Sequence, residues 1–94
     1  MHGPFTIRVP VDERYRVLAV ELAGKYVEVS GGTAADGRAL ASALATALDR
    51  LAAHASDQAE FDLAYRVAGG QIEVAIGGVG HPTVVRQPLT VPNL

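Results

Sequence analysis

Residues 61–76 read FDLAYRVAGGQIEVAI, and this stretch decides the fold. Phe61, Leu63, Tyr65 and Val67 alternate with Asp62, Ala64 and Arg66, the two-residue period of a strand with one buried and one wet face. Gly69-Gly70 follows, a two-residue turn able to supply positive φ twice. Ile72, Val74 and Ile76 then alternate with Glu73 and Ala75. The segment is a β-hairpin. Because each strand carries apolar residues on one face only, the sheet needs a covering layer on one side and no more.

The cover lies upstream. Thr33-Ala34-Ala35-Asp36 is a relaxed capping box, with Asp where Glu or Gln is usual. Beyond it Leu40, Ala43, Leu44, Ala47, Leu48, Leu51 and Ala55 form one apolar stripe at helical spacing, while Arg38, Ser42, Asp49 and Arg50 fall elsewhere. An earlier helix is expected from about Asp12, its N-cap, to about Glu28. Tyr15, Leu18, Leu22 and Tyr26 lie on its inner face with Ala19 and Ala23, and Ser30-Gly31-Gly32 ends it. Phe5 to Val9 alternates like a strand and Pro10 stops it. After the hairpin, Thr83 to Arg86 offers a short edge strand, and the tail to Leu94, broken by Pro88 and Pro92, is expected to be loose. The order is β-α-α-β-β(-β), a two-layer α+β sandwich in one domain spanning residues 1–94.

Composition narrows the function classes. The 94 residues are 49% apolar, with two Phe, three Tyr and no Trp, so the core rests on Leu, Val and Ile. A core this thin gains from a second subunit, and a homodimer is expected. Eight basic and ten acidic residues are scattered and give a net charge of −2. No basic cluster is available to neutralise phosphates, which argues against nucleic acid. The absence of cysteine rules out disulfides and thiolate metal sites. No apolar run approaches the roughly 20 residues of a membrane span, and no signal-peptide core is present. A soluble, cytoplasmic protein with no membrane contact is expected.

The strand, the helix, the long helix ending in Ala52-Ala53-His54-Ala55, and the hairpin closing on Val74-Ala75-Ile76-Gly77-Gly78-Val79-Gly80 together resemble a known family. The chain is similar, from about Phe5 to about Pro82, to the histidine-kinase-like ATPase domain, especially the short bacterial anti-sigma-factor serine kinases. That resemblance implies a mixed β-sheet with both helices on one face. It also implies that the long helix should carry a Glu general base and, four residues later, an Asn that holds Mg²⁺. Here those positions fall on Thr46 and Arg50. Threonine is no base near neutral pH, and arginine has no lone pair for a metal. The family's Asp-x-Gly, whose carboxylate binds the adenine amino group, becomes Gly78-Val79-Gly80. Too few residues follow Gly80 for the family's ATP lid, second glycine motif and closing strands. The resemblance therefore implies a degenerate pocket at Thr46, Arg50, Gly78 and Gly80, no nucleotide, and a bacterial regulatory pseudo-enzyme that binds another protein. A sigma factor or an anti-sigma antagonist is the implied partner, met through the sheet edge, the tail or the first helix.

Other candidates are weaker. The glycine loop at 77–80 lacks the Lys-Ser/Thr of a P-loop, and no helix pattern follows it. His2, His54 and His81 are too scattered to predict a metal site, and no cofactor is expected. Ser30, Ser42 and Ser56 show no nucleophile elbow. Arg50 is either a solvated helix residue, a partner of Asp49 or Asp62, or an anion contact. The last option leaves open a residual nucleotide- or anion-binding protein using Arg50 and the glycine loop.

Overall fold

The computed structural model describes residues 3–90. Strand β1 (Phe5–Pro10) is followed by helices α1 (Glu13–Val29) and α2 (Ala34–Ala52). Strands β2 (Glu60–Ala68), β3 (Gln71–Gly77) and β4 (Thr83–Pro88) complete the order. They form one sheet in the order β1-β2-β3-β4, with every neighbouring pair antiparallel. The chain is an α+β domain of two helices and a four-stranded antiparallel sheet.

The expected mixed sheet is corrected here, and chain direction gives the reason. A single crossover helix returns the chain to the start of a strand and makes the next strand parallel. Here α1 and α2, of 17 and 19 residues, run out and back as a hairpin. The chain therefore re-enters the sheet where β1 ended, and β2 must run antiparallel to it. Gly24 and Gly37 mark the close approach of the two helices: a Cβ on Gly37 would lie 3.2 Å from the Gly24 carbonyl oxygen.

Local chemistry places the helix starts where the sequence puts them. Asp12 accepts from the Arg14 N–H at 2.9 Å, and Thr33 and Asp36 exchange both bonds of a capping box. Helix α2 ends at Ala52, three residues short of the Ala55 that extends its stripe. The inner face of α1 also differs from expectation. Ala19, Ala23, Tyr26 and Val27 are buried, whereas Tyr15 and Leu18 are 40% and 55% exposed. The Tyr65 hydroxyl donates to the Ala19 carbonyl at 2.9 Å, so the α1 backbone itself comes down to the sheet. Alanines permit that approach and turn the larger residues beside them outward.

The core lies between layers. Leu40, Leu44 and Leu48 of α2 meet Phe61, Leu63 and Tyr65 of β2 and Ile72, Val74 and Ile76 of β3, all at most 1% exposed. Phe5 stacks on Tyr65 with centroids 4.7 Å apart, and Tyr26 stands edge-on to Phe5 at 5.1 Å. Gly69 and Gly70 take φ of 58° and 79° and make the tight turn of the hairpin. After β4 the chain stays tied: Leu89 N–H donates to Gly70, and Thr90 donates to Asp36 from its N–H at 2.7 Å and its hydroxyl at 2.8 Å. The rest of the tail expected to be loose, residues 91–94, lies outside the described residues, as does His2. Neither described helix is long and apolar enough to cross a membrane.

Candidate functional site

The four positions that the resemblance singles out are divided between α2, which carries Thr46 and Arg50, and the loop after β3, which carries Gly78 and Gly80. Thr46 is exposed on α2 and its hydroxyl donates back to the Ser42 carbonyl at 3.1 Å. Arg50 is exposed one turn later. Neither carboxylate considered for Arg50 pairs with it, because Asp49 is bound by Arg16 and Asp62 by Arg8. Gly78 and Gly80 both have positive φ, 88° and 64°. Between them Val79 is buried in the core, and a Cβ on Gly80 would lie 3.6 Å from Leu51 of α2. The loop thus packs on the end of α2 through aliphatic side chains. None of the four positions lines the four best-formed depressions among the described residues.

His54 and His81 are exposed and far from one another in the chain, and no group of three or more His, Asp and Glu with metal-binding geometry occurs among the described residues. Ser42 and Ser56 are exposed; the Ser30 hydroxyl is buried at the end of α1.

The larger feature is the sheet face that no helix covers. In antiparallel pairing, directly opposed residues share a face. Register therefore sets out rows across the strands. Arg8, Asp62 and Gly77 form one, Thr6, Ala64, Ala75 and Val84 the next, and Arg66, Glu73 and Arg86 the third. A depression of about 550 Å³ covers the first two rows, lined among others by Thr6, Arg8, Asp62, Ala64 and Ala75. A second, of about 250 Å³, adjoins it across Ala64 and Ala75 and reaches Arg66, Glu73 and Arg86.

Charges on this face are organised in pairs. Arg8 Nε donates to Asp62 at 2.7 Å, and Glu73 accepts from Arg66 Nε at 2.7 Å and from Arg86 Nε at 2.9 Å. Glu73 is only 8% exposed although it lies on the wet side of the sheet, because the two arginines lie across it. Hydrogen bonds from Arg86 and then Arg66 hold its carboxyl below the usual range, against the opposing effect of burial. The pairing of Arg66 with Glu73 was legible, since a two-residue turn at Gly69-Gly70 forces it. Arg86 was not, because the loop at 78–82 fixes no register.

A pH dependence follows. A carboxyl depressed in the folded state contributes stability that is fully present above its unfolded pKa, about 4.3 for Glu. That contribution is lost as pH falls through the folded value. Asp36 acts in the same sense, held low first by the Thr90 N–H and then by the Thr33 N–H. Urea midpoints should therefore fall as pH drops from 6 to 3, and Glu73→Gln should flatten that fall. Parallel curves for the variant and the wild type would remove the assignment to Glu73.

No family model matches the chain, and a search of curated proteins finds no match to it.

Proposed function

We propose that this chain is a non-catalytic protein-interaction module, a regulatory relative of the anti-sigma-factor serine kinases whose nucleotide pocket has been dismantled. Gly78 carries the reading. It stands where that family places the adenine-binding aspartate, its φ is 88°, and any Cβ there would be driven into the Glu60 carbonyl oxygen. The position is built for a residue without a side chain, so a carboxylate could not be restored there without rebuilding the loop. Arg50 offers no lone pair to Mg²⁺ and Thr46 is no general base near neutral pH, and Leu51 and Val79 pack between helix and loop.

Within the family logic the partner is a sigma factor or an antagonist of an anti-sigma factor. Of the contact surfaces considered, α1 has the most to offer, with Tyr15, Val17 and Leu18 all exposed. The two sheet edges are less suited. Pro4 and Pro10 flank or end β1, and Pro82 and Pro88 do the same for β4, so strand addition is blunted.

The test is thermal denaturation with ATP or ADP at millimolar concentration, with and without Mg²⁺. A ligand that binds only the folded state at 100 times its Kd adds about 2.7 kcal/mol, which moves the Tm of a small domain by several degrees. Unchanged melting curves are expected. A Mg²⁺-dependent rise would sink this reading in favour of a residual nucleotide-binding protein.

A further inference from the structure

We infer that the uncovered face of the sheet is a self-association surface, on which a second copy of this chain packs face to face about a two-fold axis. The argument rests on how charge is distributed along the strands, and it is independent of whether a nucleotide binds.

At one end of the face Arg8 contacts Asp62 directly, and the charge of Glu60, opposite Pro10 in the next row, also stabilises it. One arginine against two carboxylates leaves that end at net −1. At the other end Arg66 and Arg86 both bind Glu73. Two arginines against one carboxylate leave that end at net +1. The row between them, Thr6-Ala64-Ala75-Val84, is uncharged and short-chained.

A two-fold axis lying along that middle row carries each residue to the far side of the row on the facing sheet. Asp62 of each copy then meets Arg66 of the other, and the acidic end covers the basic end twice by symmetry. This is the reciprocal matching an isologous interface requires. An axis along the strands would instead set each end against an end of its own sign. The small middle row lets the two sheets approach to the roughly 10 Å of an ordinary aligned sandwich. Val84 is the one exposed larger apolar side chain in that row, so the specificity of the surface is electrostatic.

Size sets the strength. Four strands about 4.8 Å apart, with about six shared residues at 3.4 Å each, give a footprint of about 400 Å². That is half of the roughly 800 Å² per partner in a standard stable complex. A weak dimer is expected, loosened by salt because the matched charges lie near the surface.

The experiment is sedimentation velocity on the whole chain from 10 μM to 1 mM, in 50 mM and 500 mM NaCl. Wild type should dimerise with rising concentration and shift toward monomer in the higher salt. Asp62→Arg and Arg66→Asp, both at exposed positions, should each abolish self-association, since each homodimer would oppose like charges twice. An equimolar mixture of the two variants should dimerise again, because both cross-axis contacts then pair opposite charges. Circular dichroism melts establish that each variant is folded, and rescue in the mixture is an outcome misfolded chains cannot produce. A wild type that stays monomeric at 1 mM overturns the inference. So does a dimer that either variant leaves intact, or a mixture that stays monomeric.

Discussion

Tyr65→Ala should lower the urea midpoint by about 2 M or more, reflecting a loss of about 3–5 kcal/mol. For a 94-residue domain, whose total stability is about 5–14 kcal/mol at typical values per residue, that is a large fraction. The side chain is fully buried in the middle strand pair, with Phe5 stacked on its ring and Tyr26 edge-on to it. Its removal would leave a cavity beneath α1 that those two partly constrained rings cannot fill. Burial also pushes the Tyr65 hydroxyl pKa upward, so it remains a donor to Ala19 at any ordinary pH. Tyr65→Phe separates the two contributions: it keeps the ring and loses one buried hydrogen bond, for about 0.5–1.5 kcal/mol. If Tyr65→Ala cost less than about 1 kcal/mol, the three-ring cluster would not be the keystone between sheet and first helix.

The same residue shows what the sequence discloses and what it withholds. Alternation at Phe61, Leu63 and Tyr65 puts Tyr65 inward, and Gly69-Gly70 fixes its opposite neighbour as Val74. Strand period and turn length are local properties, so the hairpin, the element order and both helix caps were readable. Where a helix touches the sheet is not local. The choice between Tyr15 and Leu18 on one side and Ala19, Ala23 and Val27 on the other depends on how closely α1 approaches, and the Tyr65–Ala19 contact determines that. Sheet direction was equally hidden, since it follows from two helices of nearly equal length returning the chain to its starting end. For the candidate site, the resemblance proposed Thr46, Arg50, Gly78 and Gly80, and spacing along the chain could not place them relative to one another. On the open face the Arg8–Asp62 and Arg86–Glu73 contacts were not legible, because no short turn dictates the register of β1 on β2 or of β4 on β3.

Gly78→Asp, which places a carboxylate where the proposed resemblance to the anti-sigma-factor kinases would have one, should destabilise the fold by several kcal/mol and confer no ATP binding. Two costs combine. An L-residue at φ 88° pays about 1–2 kcal/mol for its Cβ against its own backbone. The new atom would also press on the Glu60 carbonyl oxygen and approach the Asp62 side chain at 3.3 Å, and relieving such overpacking costs typically about 1–3 kcal/mol. An aspartate adds repulsion from Asp62, which Gly78→Asn would remove while keeping the steric load. Gly31→Ala is the control, because Gly31 has φ 97° with open space around it and so reports the backbone cost alone. Urea midpoints should then rank wild type above Gly31→Ala, and Gly31→Ala above Gly78→Asn and Gly78→Asp. A Gly78→Asp protein as stable as wild type that gained a Mg²⁺-ATP melting shift would mean the pocket had lost only one side chain. The geometry argues against that outcome, because the exit of β3 turns on a glycine at φ 88° and the place of its Cβ is already taken by the Glu60 carbonyl oxygen.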